Sequence, residues 1–364
     1  MTISPTSKDN TKHGIGYLLA FAIPGIIVAS VVLGRRPGWA DYMAFALIII
    51  AFCVVPTVSV LKLVPDRPPC RRFKKHIAGR YVHLLPIIAF PIQILVLAIG
   101  VAHSINPGMG PLGTIGWLLS VGLFSALFGI TASHELIHRR SKFARVLGGI
   151  LLSTACFGCF KVVHIRLHHR YVGTDHDFAS AQRGDSIYAF WLRALIGNPR
   201  EAVRLERDRL QRLNRSLWRS ELVTWYGLST LWFTLSVSFL GWRSGVFFLL
   251  QGLVAILCLE WTNYIQHYGL TRGRETTGRY EPVRLQNAWT IDCRVSNFAL
   301  FNLLRHSDHH VRPQVPYYNL QRTATPRYPY PFGFIMLLAL VTPLFRYVVH
   351  PLLDEVAATP NEPA

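Results

Sequence analysis

Nine of the fifteen histidines in this 364-residue chain stand in four short clusters. Neutral imidazole is the commonest side-chain ligand of transition metals and suits iron, zinc and copper. So many polar rings beside apolar segments would be costly to bury unless metal ions or hydrogen bonds satisfied them. Nine ligands are too many for one ion and suit two. In chain order the clusters contain His134 and His138; His164, His168 and His169; His267; and His306, His309 and His310.

The first cluster, HELIH at 134–138, places two histidines at positions i and i+4, on one helix face, where both can bind the same ion. The same residues match the HExxH motif of zinc proteases, in which Glu135 would be the general base. A protease leaves the HxxxHH and HxxHH clusters unexplained. We therefore rank it below a two-metal site.

Three acidic residues are candidates for catalytic roles beside the metals. Glu260 precedes His267 near a predicted membrane boundary, where a carboxylate is costly unless it meets a metal, a metal-bound water or an imidazole. Glu135 and Asp308 stand between histidines of their own clusters and are predicted to orient imidazoles through the ring N–H. A simple salt bridge is the alternative for both. His176 is a tenth candidate ligand.

The elements that must position these residues are predicted to be membrane-spanning helices. Hydrophobic residues make up 51% of the chain and charged residues 16%, against about a quarter charged in a typical soluble domain. The sequence predicts an all-α integral membrane protein in which residues 1–364 form one catalytic domain. Two further apolar runs, 146–160 and 332–349, are predicted to be interfacial or re-entrant helices. The six predicted spans are 15–33, 42–61, 81–101, 112–132, 222–240 and 246–259, of which the last is short for a span.

The distribution of basic residues predicts the orientation. Residues 62–80 contain seven Lys or Arg and one Asp, whereas residues 104–113 contain no charge. By the positive-inside rule the basic segment is cytoplasmic, and six spans then place both termini and all four histidine clusters on that side.

The formal charge of +19 does not predict nucleic-acid binding, because the basic residues cluster between apolar runs and little chain remains for a soluble basic domain. Residues 200–219 contain seven arginines and three acids with interleaved leucines. This pattern is typical of a basic amphipathic helix at a membrane surface. A docking face for an acidic electron-transfer protein is the alternative.

The succession of HELIH, HIRLHH, NYIQHYG and LLRHSDHHVRP resembles the membrane-bound alkane monooxygenases and their relatives, the xylene and cymene methyl-group monooxygenases, which belong to the desaturase and hydroxylase superfamily. The resemblance runs over residues 130–321 in motif order. One departure is Asp175-His176-Asp177, which replaces a Pro-Glu-Asp stretch of the family.

The resemblance implies a di-iron centre held by the nine clustered histidines, with dioxygen as cosubstrate. It also implies electrons from a rubredoxin or ferredoxin with its reductase, and a hydrophobic substrate hydroxylated at a terminal or methyl C–H bond. The expected location is a bacterial inner membrane.

Three alternatives remain open. A membrane fatty-acyl desaturase or acyl-modifying oxidase would use a similar metal site and should show a polar anchor for a carboxylate or thioester near the cytosolic face. An intramembrane zinc protease would use HExxH. A non-catalytic metal transporter should have ligands across the bilayer rather than at one face.

Overall fold

The computed structural model describes residues 14–63, 77–323 and 326–358. It is built almost entirely of helices, which confirms the all-α membrane fold. Most of the basic segment 62–80, on which the predicted orientation depends, lies outside the described residues. The helices are α1 (Gly14–Leu33), α2 (Ala46–Val60), α3 (Ile77–His103), α4 (Pro111–Ile137), α5 (Lys142–Thr154), α6 (160–171), α7 (Ile187–Arg212), α8 (Glu221–Leu240), α9 (Trp242–His267), α10 (Arg294–Ala299), α11 (His306–Val311), α12 (Phe332–Leu340) and α13 (Thr342–Ala358).

Four helices in the described part of the chain are long and apolar enough to cross a membrane, namely α1, α3 from Arg80, α4 and α9. The predicted span 42–61 is instead a single turn at Ala40–Met43 followed by the shorter helix α2. The 20-residue helix α8 covers the predicted span 222–240, but its mean hydropathy is too low for it to count as a fifth candidate span. The predicted count of six spans is therefore not confirmed.

The predicted span 246–259 was wrong in its length, because α9 contains 26 residues. The hydropathy signal ends at Glu260, yet the helix continues to His267. Glu260, Asn263 and Gln266 are all buried by the protein itself, and the Asn263 side-chain amide donates to the Glu260 carboxylate over 3.1 Å. Polar residues that are satisfied within the fold do not end a helix at the membrane boundary.

The two most buried spans, α4 and α9, pack closely along their length. A Cβ atom on Gly122 of α4 would lie 2.4 Å from the Val254 side chain of α9, so only glycine permits this approach. A chain of amides and hydroxyls also links three spans. The Ser125 hydroxyl donates to the Gln251 amide oxygen over 2.7 Å, and the Gln93 amide donates to Ser125 over 3.4 Å. Such interhelical hydrogen bonds fix the spans relative to one another.

A short parallel pair of strands organises the segment between α9 and α12. Strand β1 (Thr290–Ile291) pairs with β2 (Arg327–Tyr328). The Tyr328 hydroxyl donates to the Ile265 carbonyl over 2.9 Å, and the Trp289 N–H donates to the Gln266 carbonyl over 2.7 Å. These bonds hold the segment against the last turn of α9, where the third histidine cluster lies.

Candidate metal centre

The first histidine cluster belongs to the last turns of α4 rather than to a loop after the span. α4 has a π-helical turn at Ser125–Ile130 and then regular helix over Thr131–Ile137. Wide turns of this kind inside α-helices are frequent at functional sites. His134 and His138 lie one turn apart on the same face, and their ring centroids are 5.0 Å apart.

The second cluster is built on another π-helical turn, His164–His168, within α6. His169 begins the final turn of that helix. Consecutive residues of a helix point roughly 100° apart around its axis. His168 and His169 therefore direct their rings to different sides of α6.

The third and fourth clusters meet because the strand β1 connects them. His267 is the last residue of α9, and His306 is the first residue of α11. The Thr290 hydroxyl of β1 lies 2.9 Å from the Ser307 hydroxyl, and Ser307 also donates to the Ala288 carbonyl. This positions α11 beside the end of α9.

The nine clustered histidines converge in two groups, and no other group of three or more His, Cys, Asp or Glu side chains within the described residues has this geometry. In each group the ligand atoms lie within 4.8 Å of one another. The structure thus brings together all nine clustered histidines and divides them between two groups. The five-histidine group contains His134, His138, His164, His169 and His309, and the four-histidine group contains His168, His267, His306 and His310.

The Nε2 atoms face one another at distances that suit cis ligands of one ion. His164 Nε2 lies 2.9 Å from His138 Nε2 and 3.1 Å from His169 Nε2. His306 Nε2 lies 3.0 Å from both His267 Nε2 and His310 Nε2. Two nitrogens bound at about 2.1 Å and at right angles to each other are about 3.0 Å apart.

Hydrogen bonds alone do not satisfy these rings. The Nδ1 atom of His267 lies 3.3 Å from the Asn287 carbonyl and is therefore its protonated nitrogen, which leaves Nε2 as an acceptor. A proton on His306 Nε2 could be donated to only one of its two neighbours, whereas a metal ion between the three satisfies all of them. The buried Nε2 atoms of His134 and His168 have no hydrogen-bond partner within the described chain. The donor set therefore fits metal ions.

The environment lowers the pKa of several of these rings and so favours the neutral form that binds metal. Burial, together with the neighbouring His168, lowers the pKa of His138 to about 3. Burial and the adjacent histidines also hold the pKa of His306, His309 and His310 well below the ordinary value of 6.5. Neutral imidazoles present lone pairs, so the site is prepared for a cation.

Comparison with known proteins gives the family. The sequence model of the family described as fatty acid desaturase matches residues 110–334. Alkane 1-monooxygenase 1 of Pseudomonas aeruginosa is 38% identical over 320 residues, which are 85% of this chain and 83% of the relative. Alkane 1-monooxygenase 2 of Alcanivorax borkumensis is 34% identical over 342 residues, which are 92% of this chain and 90% of the relative.

This chain belongs to the membrane alkane 1-monooxygenase family. The hydroxylase component XylM of the xylene/toluene monooxygenase of Pseudomonas putida is also similar to this chain, with 30% identity over 267 residues, 69% of each chain. The resemblance found in the sequence is confirmed, and the chain is an oxidoreductase of the membrane.

In this alkane 1-monooxygenase family member the two acids inside the histidine clusters bind arginines. The Glu135 carboxylate accepts from the Arg139 guanidinium at 3.3 Å and from the Tyr317 N–H at 3.3 Å. The Asp308 carboxylate accepts from the Arg312 guanidinium at 2.6 Å. The predicted hydrogen bonds from imidazoles to these carboxylates are absent among the described contacts. The salt-bridge alternative describes both residues, although both are buried.

Glu260 is buried, and its carboxylate is held by two amides. The side chain of Asn198 in α7 donates to one oxygen over 2.9 Å, and that of Asn263 donates to the other over 3.1 Å. These contacts link α7 to α9 immediately beside the metal centre. The predicted contact of Glu260 with a metal ligand is not among the described hydrogen bonds.

Asp177 takes the orienting role that the sequence analysis assigned to other acids. Its carboxylate accepts from His168 Nδ1 over 2.8 Å and from the Ser180 hydroxyl over 2.6 Å. Although burial alone would raise the pKa of Asp177, the contacts with His168 and Ser180 lower it below the ordinary value. A carboxylate that fixes the ring orientation of a ligand is a common partner of metal-binding histidines. The spacing of Asp177, nine residues after His168, gives no helical signal that would have selected it.

Two further features surround the centre. The side chain of Arg166, between two ligands of α6, donates to Glu206 of α7 and to Glu221 of α8, which anchors the ligand-bearing π turn to two other helices. His176, the tenth candidate, is exposed and packs against the rings of Tyr171 and Tyr280. It lies in neither metal group.

An apolar cavity of about 120 Å³ lies between α1, α2, α4, α10 and α12. Leu123 and Leu127 of α4 contribute to its wall, together with Phe52 of α2 and Met336 of α12. Leu127 stands seven residues before His134, which is about two helical turns or roughly 10 Å along α4. The cavity and the metal centre are thus built on the same helix.

Proposed function

We propose that this protein is a non-haem di-iron monooxygenase that hydroxylates a terminal or methyl C–H bond of a hydrocarbon, either an alkane or an alkyl-aromatic. The reaction would consume dioxygen, two electrons and two protons, and would yield an alcohol and water. The names of the relatives, two alkane 1-monooxygenases and a xylene/toluene monooxygenase component, support this substrate class.

The observation that carries the proposal is the division of nine imidazoles into groups of five and four. Structural zinc is almost always four-coordinate, so a group of five converging nitrogens favours a metal with a higher coordination number, such as iron. The five-histidine and four-histidine groups would each hold one ion. When bound, the iron ions supply the activation of dioxygen.

The chain itself would bind the hydrocarbon, orient it and exclude water. The apolar cavity offers side chains but almost no hydrogen-bonding group to a substrate. Its position along α4 would direct one end of a chain towards the ligands. An apolar wall distinguishes substrates by shape alone, so selectivity should be modest for each added methylene, about 1–3 kcal/mol.

Electrons would come from a rubredoxin or ferredoxin with its own reductase, at the cytoplasmic face of a bacterial inner membrane, with both termini on that side. Helix α7 and the turn after it carry the seven arginines of residues 200–219. Trp218, 83% exposed, projects beside them. This basic surface suits an acidic partner, whose binding should weaken as the salt concentration rises.

A fatty-acyl desaturase is the second candidate function, because the family model that matches residues 110–334 is described by that activity. The zinc protease has no support, since the Glu135 carboxylate that it needs as a base is bound by Arg139 and Tyr317. A transporter is disfavoured because all nine ligands meet at one place.

Product analysis with isotopic dioxygen tests the function. Membranes containing the protein, a reducing system and ¹⁸O₂ would be supplied with octane, an alkylbenzene or an acyl-CoA. The proposal expects a labelled alcohol from octane or the alkylbenzene. An alkene from acyl-CoA without labelled alcohol from any hydrocarbon would contradict hydroxylation and support the desaturase.

A further inference from the structure

A second cavity, of about 370 Å³, lies between the end of α2, the residues after β1 and the start of α12. We call it the basic pocket. The charged side chains that line it, among the described residues, are four cations and one carboxylate. The cations are Lys62, Arg294, Arg322 and Arg327, and the carboxylate is Asp292.

The single carboxylate does not neutralise the pocket. Asp292 forms a close ion pair with Arg322, and its carboxylate lies 3.8 Å from the Arg327 guanidinium. Lys62 adds a further positive charge. The excess of positive charge favours an anion, and guanidinium groups bind carboxylates and phosphates through directed hydrogen bonds.

The basic pocket adjoins the apolar cavity. Val295 lines both of them. The residue before it, Arg294, faces the basic pocket, whereas the residue after it, Ser296, faces the apolar cavity. Together the two cavities combine a positively charged end with an apolar end, as an amphiphile with a negative head group would require.

The basic pocket lies on the same side of the spans as the histidines. Asp292 directly follows β1, whose Thr290 hydroxyl contacts Ser307 at 2.9 Å, and Ser307 follows the ligand His306. Helix α2 ends at the pocket, and helix α12 begins there. The rim of the pocket therefore lies at the ends of two apolar helices. An amphiphile in a bilayer holds its head group at such a boundary.

We infer that the two cavities form one binding site for an amphiphile that carries an anionic head group on an apolar chain. The head group lies among the arginines of the basic pocket, and the chain passes Val295 into the apolar cavity. A fatty acid and an anionic phospholipid of the surrounding bilayer share this chemistry. The inference concerns binding alone and does not depend on the proposed reaction, and the basic pocket is the kind of polar anchor that the fatty-acyl alternative requires.

Binding of radiolabelled laurate to the whole protein in nanodiscs of zwitterionic lipid tests the inference. We expect saturable binding that weakens at high salt, and much weaker competition from acetate or dodecanol than from unlabelled laurate. The double variant K62Q/R327Q should bind at least about tenfold more weakly, since a hydrogen bond to a charged group contributes about 1.5–3 kcal/mol. Val295→Trp, which fills the junction, should also weaken laurate binding.

The double variant R243Q/R279Q is the matched control, because it removes the same two charges from exposed residues outside both cavities. Helix content measured by circular dichroism identifies any variant that fails to fold. Equal laurate binding by K62Q/R327Q, R243Q/R279Q and the unchanged protein would overturn the inference, as would acetate or inorganic phosphate competing as well as laurate. Phosphatidylglycerol added to the nanodiscs distinguishes an anionic phospholipid from a fatty acid as the ligand. Displacement of bound laurate assigns the site to membrane lipid, whereas unchanged laurate binding assigns it to fatty acid.

Discussion

His168 and His169 are neighbours in the chain, yet their imidazoles belong to different metal groups. His169 Nε2 lies 3.1 Å from His164 Nε2 and 3.2 Å from His309 Nε2, in the five-histidine group. The ring of His168 belongs with His267, at a centroid distance of 4.8 Å. One turn of α6 therefore contributes to both centres and fixes their relative position.

Alanine at these two positions should have unequal effects on metal content. His168→Ala leaves three ligands in its group, so we expect the protein to lose about one ion per chain. His169→Ala leaves four ligands, so both ions should remain at saturating metal, but one should be lost faster to a chelator. Elemental analysis before and after dialysis against a chelator measures this.

His176→Ala is the matched control, since it removes an exposed imidazole from the segment that follows α6 without touching either group. If His168→Ala and His169→Ala keep as much metal as His176→Ala after dialysis against the chelator, the assignment of these ligands is wrong.

Asp177→Asn should loosen the metal held by His168. The amide can no longer accept the Nδ1–H bond of His168 as a charged group, so the ring orientation and its basicity are less well fixed. We expect metal affinity to fall about 10–100-fold. Competitive titration with a chelator measures the affinity, and Asp175→Asn, a change at an exposed residue two positions earlier, serves as the control. Equal metal affinity in Asp177→Asn and Asp175→Asn would show that Asp177 does not orient the His168 ring for metal binding.

The ion pair between Arg166 and Glu206 should make the thermal stability of the protein depend on pH. Although burial alone would raise the pKa of Glu206, hydrogen bonds from Arg209, Arg166 and the Glu221 N–H lower that pKa to about 2 from 4.5. A depressed carboxylate pKa contributes stability that is present above about pH 4.5 and is lost as pH falls towards about 2. The thermal midpoint of Glu206→Gln should therefore lie below that of the unchanged protein at neutral pH, and the difference should narrow below about pH 4.5. A difference that stays constant from pH 7 to pH 3 would refute this electrostatic role.

Gly333→Ala should weaken the packing of α12 against α2. Its Cβ atom would lie 2.8 Å from the Ala51 carbonyl oxygen and 2.9 Å from the Pro56 ring, and neither of these can move easily. Overpacking of this kind costs typically 1–3 kcal/mol. Gly227→Ala is the matched control within α8, where an added Cβ meets nothing within 4 Å and helix propensity improves. The midpoint of thermal unfolding should be lower for Gly333→Ala and unchanged or higher for Gly227→Ala. The reverse order would show that Gly333 is not tightly packed against α2.

The sequence predicted which histidines come together better than it predicted the residues that bind to them. The clustered histidines could be selected because several imidazoles at one apolar boundary are typical of a metal site. The i, i+4 spacing also places His134 and His138 on one helix face. The partner of His168 could not be found in this way, since Asp177 reaches it through a turn after α6 rather than along a helix. Glu135 and Asp308, adjacent to ligands in sequence, point instead to arginines four residues later.

Hydropathy located the four helices that are long and apolar enough to cross a membrane, but not all of their ends. The apolar signal stops near Glu135 and Glu260, while α4 and α9 continue past them, because those side chains are enclosed by protein and not by lipid. Helix α2 shows the opposite error. Its apolar run was long enough to predict a span, but the chain forms a separate turn at Ala40–Met43 before α2 begins.

The metal content of the purified, unaltered protein tests the central claim most directly. If the five-histidine and four-histidine groups each hold one iron ion, as proposed, the protein should contain two iron ions per polypeptide and little zinc when it is produced with iron available. A stoichiometry of one ion per chain, or zinc in place of iron, would contradict the account.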